Sequence, residues 1–228
     1  MDDLFSDRTV RGKSLARADL ERIIGFPQAL VECDLEEADA SGLDLSNWRF
    51  ERCNLRRADF SRAKLDGTAW QSCRGAFANF TASDMSEAML VATDFNNATF
   101  KRANLQSARF VQCKLTGADL FEVRGLDITF DETLLINAKL PGHSFRKTTL
   151  NRIDFSHADL GKCDFRHATF ADCSLREANM DGARFEGADL RGADLGGLRL
   201  MDAGMFRGAT ISREQAAQLL SELGLNVR

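Results

Sequence analysis

Large apolar side chains return at every fifth residue over most of this chain. Of the forty positions divisible by five between Phe5 and Leu200, thirty-six carry Leu, Phe, Met, Val or Trp, and the register never slips. This period is neither the two of a strand nor the 3.6 of a helix. A repeating unit of five residues must therefore set the path of the backbone, with one large side chain buried in each unit.

A small residue stands two places before most of these large residues, which we call centres. Alanine is frequent in this slot, and the six cysteines all occupy it: Cys33, Cys53, Cys73, Cys113, Cys163 and Cys173. The residue directly before a centre is often Asp or Asn, which suits a turn because its side chain bonds nearby backbone amides. Two residues in five therefore point inward, which agrees with a hydrophobic content of 44%.

The unit A-(D/N)-L-x-x resembles the repeat of the pentapeptide-repeat family over roughly residues 5 to 205. The resemblance implies an all-β fold, a right-handed quadrilateral β-helix in which each pentapeptide forms one side of a square and four form a coil. Residues 20 apart then stack in columns, and five of the six cysteines share one column. The phenylalanines expected to form the structural core in such columns are Phe60, Phe80, Phe100, Phe145, Phe165 and Phe185.

The repeat weakens at three places, where Gly25, Gly75 and Gly125 replace centres. We therefore expect a β-helix of about ten coils over residues 1–208, with irregular or loop stretches near 22–28, 74–77 and 121–145. His143 falls in the last stretch, in an inward slot that is too small for it, which indicates a loop at that point.

Phenylalanines that are not centres stand beside each of these glycines. Irregular segments on a rigid scaffold are where binding residues concentrate, although drift in an old repeat would leave the same trace. The candidates for contact with a protein partner are Phe26, Phe77, Phe121, Glu122, Arg124 and Asp127.

After Leu200 the apolar period becomes helical. Ser212 and Gln215 match a capping box, and Gly224 is a typical helix stop. Residues 209–228 are therefore predicted to form a C-terminal capping or dimerisation helix and tail, since a solenoid must cover its apolar end. The candidate dimer-interface residues are Met205, Phe206, Ala216, Leu219, Leu220, Leu223 and Leu225.

No catalytic or metal-binding constellation is visible in the sequence. His157 and His167 stand at solvent positions without suitable partners, and the cysteines form no C-x-x-C pair. We therefore expect no enzyme activity, no cofactor, no metal and no small-molecule substrate. The formal net charge of −4 argues against direct nucleic-acid binding. The lack of a long apolar run and of a secretory signal predicts a cytoplasmic protein without membrane association.

With its long run of pentapeptides and its C-terminal helix, this chain is similar to the quinolone-resistance (Qnr-like) branch of the family. That similarity implies a homodimer joined through the C-terminal helix, and DNA mimicry by the shape and negative charge of the solenoid. It implies binding to a type II topoisomerase, DNA gyrase, and protection of that enzyme from quinolones or natural topoisomerase toxins, a form of antibiotic resistance. The alternative is a structural or scaffolding module with an unknown protein partner, which the mild net charge favours.

Overall fold

The computed structural model describes residues 8–197, 204–222 and 224–227. The chain divides into two compact units, which we call unit 1 (Met1–Thr129) and unit 2 (Phe130–Arg228). Each unit is built from short parallel strands, most of which recur at intervals of 20 residues. This arrangement confirms the β-solenoid that the five-residue period predicts.

Unit 1 contains a ladder of parallel strands and one short helix. Adjacent strands pair residues that are 20 apart, for example Val10 with Leu30 and Leu30 with Phe50. Because each strand places the same repeat position in the same row, the centres of successive coils stack on one another. The elements are β1 (Thr9–Arg11), α1 (Arg17–Ile23), β2 (Ala29–Val31), β3 (Arg49–Glu51), β4 (Ala69–Gln71), β5 (Met89–Val91) and β6 (Arg109–Val111).

Unit 2 repeats this arrangement and ends in a longer helix. Its elements, of which the first straddles the unit boundary, are β7 (Thr129–Asp131), β8 (Thr149–Asn151), β9 (Thr169–Ala171), β10 (Cys173–Ser174), β11 (Ala193–Asp194) and α2 (Arg213–Glu222). β8 pairs with β9 in the same register, with Leu150 opposite Phe170. β10 pairs with β11 in the same way.

Most corners of the square are two-residue turns whose second residue has a positive φ. Arg57 (φ 56°) and Arg62 (φ 58°) show the pattern, and glycine takes the same place at Gly67 (φ 63°). A non-glycine residue in this region costs about 1–2 kcal/mol. Hydrogen bonds between coils offset that cost, because the Arg57 amide donates to the Ala76 carbonyl oxygen at 3.0 Å and the Arg62 amide donates to that of Thr81 at 2.9 Å.

The interior holds the large centres and the small residues beside them. The six phenylalanines of the two expected columns are all buried. Rings that are 20 residues apart stack face to face, with centroid distances of 5.2 Å for Phe60 and Phe80, and 4.9 Å for Phe80 and Phe100. Phe145 and Phe165 repeat this in unit 2 at 5.0 Å. Stacked rings fill the interior at the spacing of the strands.

The six cysteines are buried and unpaired by disulfides. Their thiols satisfy backbone carbonyl groups of the preceding coil: Cys53 donates to Leu30 at 3.3 Å and Cys163 to Leu140 at 3.1 Å. Burial is the main cause that raises the pKa of the Cys163 thiol to about 12. The six thiols act as small packing residues.

The coil continues without an inserted loop through 74–77, where the sequence predicts an irregular stretch. The Gly75 amide donates to the Asp94 carbonyl oxygen at 2.7 Å and the Phe77 amide donates to that of Asn96 at 2.9 Å. A side chain on Gly75 would overlap the ring of Phe95. The centre that is missing at Gly75 is thus replaced by a ring from the next coil, which keeps the interior filled.

Irregularity within 121–145 is confined to a short segment after Gly125, which has φ 119°. A side chain on Gly125 would overlap the backbone of Gln106. From Phe130 onwards the repeat is regular again, and Leu135 and Phe145 are buried centres. The residues from 130 to 145 therefore form ordinary sides of the solenoid.

His143 does not mark a loop, so that prediction from the sequence is wrong. Its amide closes an ordinary corner by donating to the Leu140 carbonyl oxygen at 3.2 Å. Its ring lies inside unit 2, with its centroid 4.5 Å from that of Phe145 and 6.1 Å from that of Phe130. The inward slot accepts the imidazole, whose ring meets those of Phe145 and Phe130 edge to face.

The first coil departs from the repeat at α1, which the five-residue register does not predict. The helix keeps Leu20 buried, as the register requires, and the Asp19 carboxylate accepts the Ala16 amide at 3.1 Å at its start. The chain leaves the helix through Gly25, which has φ 109°. The irregular stretch near 22–28 is thus a helix end followed by a turn.

α2 is tied to the last coil of unit 2 that the structure describes. Ser212 and Gln215 form the predicted capping box, with the Gln215 amide donating to Ser212 Oγ at 3.2 Å and the Ser212 amide donating to Gln215 Oε1 at 2.6 Å. The Gln215 side-chain amide also donates to the carbonyl oxygens of Leu190 and Ala193, at 2.6 Å each. The Gln215 side chain thereby caps the start of the helix and satisfies two backbone carbonyl groups of the solenoid.

Candidate interaction surfaces

The four sides of a coil provide a frame for locating surface residues. We name them by their centres in one coil of unit 1: side A carries Phe50, side B Leu55, side C Phe60 and side D Leu65. Positions that differ by 20 lie on the same side or corner of successive coils. The outward residue of each side is the one before the centre, and the corner residues are the two after it.

The sequence-predicted contact residues between Phe121 and Asp127 lie on the turn that follows side C and on side D. The ring of Phe121 is 44% exposed. Glu122 accepts a hydrogen bond from Arg102 Nε at 2.9 Å, and Arg124 Nη2 donates to the Arg102 carbonyl oxygen at 3.4 Å. Arg102 thus holds two of the candidates against the preceding coil, while Asp127 is exposed at the next corner.

Sequence reasoning missed Leu126, which is 72% exposed. Its amide donates a hydrogen bond to Gln106 Oε1 at 2.8 Å, and its carbonyl oxygen accepts a hydrogen bond from the Ser107 amide at 2.9 Å. The backbone is therefore fixed although the side chain has no cover. An apolar residue at a corner slot, where the preceding coils have Ser86 and Gln106, is the signal that would have found it.

Phe26 and Phe77 lie apart from that segment. Phe26 is 60% exposed at the corner between sides D and A, and the Arg8 guanidinium lies over its ring at 4.2 Å from the centroid. Phe77 is 53% exposed at the corner between sides B and C, with φ 63°. The six candidates therefore form one local group, Phe121 to Asp127, and two separate aromatic positions.

Carboxylates gather on side C of unit 1. The outward positions of this side hold no lysine or arginine among the residues that the structure describes, and they are Asp39, Asp59, Asn79, Thr99 and Asp119, while Asp19 stands in the same register within α1. Asp59 Oδ1 accepts the Ser61 amide at 2.8 Å and the Asn79 side-chain amide at 3.0 Å. The acidic side chains are thereby held in a regular column.

Corner residues neutralise part of this column. Arg17 lies 3.1 Å from Asp39, and Lys101 lies 3.1 Å from Asp119. Hydrogen bonds from Ser41, and more weakly the charge of Arg17, lower the pKa of Asp39. Side C is therefore acidic with a partly compensated charge.

Ion pairs across coils compensate further acids. One coil is rich in acids and the next is rich in bases, so that residues 20 apart form pairs at 2.9–3.1 Å. These pairs are Glu32 with Arg52, Glu37 with Arg57, and Asp44 with Lys64. Exposed pairs of this kind contribute little stability, about 0–1 kcal/mol each, but they reduce the negative field of the surface.

The predicted dimer-interface residues divide into inward and outward sets. The Phe206 ring stacks on Phe185 with centroids 4.6 Å apart, and the Met205 carbonyl oxygen accepts the Phe185 amide at 3.2 Å. Leu220 and Leu225 are exposed by 38% and 54%. Ala216 and Leu219 are half-buried, and Leu223 lies outside the described residues.

The described part of the chain offers no group of three His, Cys, Asp or Glu side chains that fits a metal ion. None of its helices has the length and apolar character needed to cross a membrane.

Two family models described as pentapeptide repeats match the chain. One matches residues 33–69, 78–117 and 168–203 with 8 copies, and the other matches residues 135–179 with 9 copies. Together the matched ranges span more than half of the sequence. No curated protein matches the chain in sequence.

Solved structures of repeat proteins resemble this fold. The structure of full-length QnrB1, described as a plasmid-mediated fluoroquinolone resistance protein, matches with a TM-score of 0.70 at 18% identity, covering 95% of this chain and 100% of that chain. HetL from the cyanobacterium Nostoc sp. strain PCC 7120, described as a pentapeptide repeat protein involved in heterocyst differentiation regulation, matches with a TM-score of 0.40 at 21% identity, covering 81% of this chain and 86% of that chain. The likeness to QnrB1 concerns the fold.

Proposed function

We propose that this chain, which belongs to the pentapeptide-repeat family, binds a type II topoisomerase, DNA gyrase, and protects it from quinolones or natural topoisomerase toxins. The observation that carries the proposal is the match to QnrB1 over nearly the full length of both chains. At 18% identity this match gives the fold alone, so the surface must supply the rest of the argument.

Side C of unit 1 supports DNA mimicry. Asp39 and Asp59 stand in adjacent coils, which places their carboxylates about 4.8 Å apart along the solenoid, and Asp119 carries the same charge beyond Asn79 and Thr99. Phosphates along one strand of DNA are about 3.4 Å apart in axial rise. A protein groove that is lined by arginine and lysine for DNA would therefore meet anions at a comparable spacing at Asp39 and Asp59.

The segment from Phe121 to Asp127 supports a specific protein contact beside that face. Phe121 stands at the corner between sides C and D, and Leu126 stands at the following corner. Both are apolar side chains on a backbone that is paired to the preceding coil. Rigid exposed apolar groups bind with little loss of conformational entropy.

We also propose a cytoplasmic, non-enzymatic homodimer. The apolar side chains of α2 and the tail that remain uncovered within one chain include Leu220, Leu225 and Val227. A second copy would cover them in the same way that Phe206 covers Phe185.

A scaffolding role with another protein partner remains the second candidate. The ion pairs between coils, such as Arg57 with Glu37, favour it because they weaken the negative field that a DNA mimic needs. The two functions differ in whether the negative charge of side C matters.

Supercoiling by purified gyrase in the presence of a fluoroquinolone tests the proposal. Added protein should restore supercoiling in proportion to its concentration. The absence of both rescue and binding at micromolar protein would eliminate the topoisomerase function and leave the scaffolding role.

A charge variant sharpens this test. The double substitution Asp39→Asn and Asp59→Asn removes two charges from side C and should weaken rescue about tenfold. The fold should persist, because Asn79 already occupies the same column. The matched control, Asp34→Asn with Asp94→Asn, removes two charges from side B of unit 1, where Asn54 already occupies the same column, and should leave rescue unchanged. Equal rescue by the wild type and both variants would reject charge mimicry.

A further inference from the structure

A shallow depression at the corner between sides B and C of unit 1 combines an exposed ring with two guanidinium groups. The Phe77 side chain stands at its edge, and its backbone is fixed because its amide donates to the Asn96 carbonyl oxygen at 2.9 Å. The main lining residues are Glu36, Asn54, Arg56, Arg74, Phe77 and Asp94.

Arg56 and Arg74 have donors to spare. Neither guanidinium forms an ion pair or a side-chain hydrogen bond with another residue in the described part of the chain, whereas Arg57, the next residue, pairs with Glu37 at 3.1 Å. The Glu36 carboxylate in the same depression accepts the Asn54 side-chain amide at 3.0 Å. The free guanidinium groups can therefore donate hydrogen bonds to oxygen atoms of a ligand.

We propose that this depression binds a protein segment in which an apolar side chain stands next to a carboxylate. The apolar side chain packs on the Phe77 ring, and the carboxylate accepts hydrogen bonds from Arg56 and Arg74. Charge-assisted bonds beside an aromatic anchor are the usual centre of a tight protein contact.

Nucleic acid fits this depression less well than a protein segment does. Two carboxylates, Glu36 and Asp94, line it together with the two arginines. A single carboxylate can lie between the guanidinium groups, but a row of phosphates would also meet these two acids. The charge balance therefore favours a ligand with one local anion.

This site goes beyond the proposed function. Phe77 and Leu126 stand at diagonally opposite corners of the solenoid, because their corners are two sides apart along the repeat. Leu126 therefore lies across the solenoid from this depression, whereas the Phe77 corner borders side C. The following experiment contains no gyrase, so it tests the depression independently of the proposed function.

Selection of peptides from a random displayed library on the full chain tests the inference. Recovered peptides are expected to carry Asp or Glu next to a large apolar residue. Their affinities are then measured by fluorescence anisotropy on the wild type and on variants of the depression, each with melting curves to verify folding.

The chain itself supplies conservative replacements for these variants. Asn97 holds the Phe77 position in the next coil with φ 56°, so Phe77→Asn keeps the corner. Ala76 stands in the column of Arg56 and Asn54 in that of Arg74, which gives the double variant Arg56→Ala with Arg74→Asn. Each variant should lose at least about tenfold in affinity.

The matched control is Arg62→Ala, an exposed arginine at the corner between sides C and D, where Ala82 holds the same position one coil later with φ 58°. It should change affinity less than about twofold. Recovery of no peptide, or of peptides that lack the acidic and apolar pair or bind equally to the Phe77→Asn variant, would overturn the inference. Tighter binding of single-stranded oligothymidylate that depends on Phe77 would replace the protein ligand with nucleic acid and overturn it as well.

Discussion

The imidazole of His143 shows how strongly the slot of a residue governs its chemistry. Its Nε2 atom is buried and has no hydrogen-bond partner among the described residues. Burial lowers the pKa of His143 from 6.5 to about 4, because desolvation disfavours the charged form of the ring. The ring is accommodated by its contact with Phe145 and not by polar partners.

Acid is therefore expected to weaken unit 2 through His143. The unfolded chain binds the proton at a pKa near 6.5 and the folded one only near 4, so this contribution is complete above pH 6.5 and is lost as the pH falls towards 4. The loss amounts to at most about 3 kcal/mol. Urea unfolding of the wild type and of the His143→Val variant between pH 4 and 7 measures this loss. It is the difference between the two proteins in the slope of the unfolding free energy against pH.

Cys163 offers the control for that comparison. It lies in the column of His143 one coil later, and Ala183 holds the same inward slot in the coil after that, so Cys163→Ala keeps a small packing residue. Burial raises the pKa of the Cys163 thiol to about 12, so this variant should retain the pH dependence of the wild type between pH 4 and 7. If the unfolding free energy of His143→Val depends on pH as steeply as that of the wild type, the imidazole is not buried in its neutral form.

At the scale of elements, the two helices differ in how much of them the sequence reveals. α2 is predictable because Ser212 and Gln215 form a local capping signal and the apolar period changes there. α1 is not, because Leu20 satisfies the five-residue register and the helical path equally well. Only the tertiary structure decides between them.

Leu220 of α2 carries the prediction for assembly. Leu220→Asp should convert the dimer into a monomer in light scattering, because it introduces a charge into an apolar contact. Ser221→Asp places the same charge one residue further along and is expected to leave the dimer intact. A wild type that is already monomeric would assign α2 to capping alone.

At the scale of the whole molecule, the repeat specifies the fold far better than it specifies a site. The buried centres follow from the period alone, since each side of the coil has one inward slot for a large residue. Leu126 and the depression at Phe77 do not, because they depend on which corner of which coil receives an apolar or unpaired side chain. The prediction of an irregular stretch at 74–77 is wrong for a related reason. The Phe95 ring, which belongs to the next coil, fills the space that a large side chain at position 75 would occupy.

The columns of stacked rings give a test of the core. Phe165→Asp should abolish cooperative melting of unit 2 in circular dichroism, because a buried carboxylate without a partner costs more than about 4 kcal/mol. Phe165→Leu, which introduces the residue that unit 1 has at Leu65 on the same side, should only lower the melting temperature. An unchanged melting curve for the aspartate variant would refute the inward orientation of the ring.

The exchange between Gly75 and Phe95 makes the order of mutations matter during evolution. A leucine at position 75 would restore the consensus of the repeat, yet it is forbidden while Phe95 occupies that space. If Phe95 first becomes leucine, a void opens and the restoration becomes favourable. Substitutions at positions 75 and 95 therefore depend on each other. A consensus design that changes one repeat at a time would pass through a destabilised single variant at this pair.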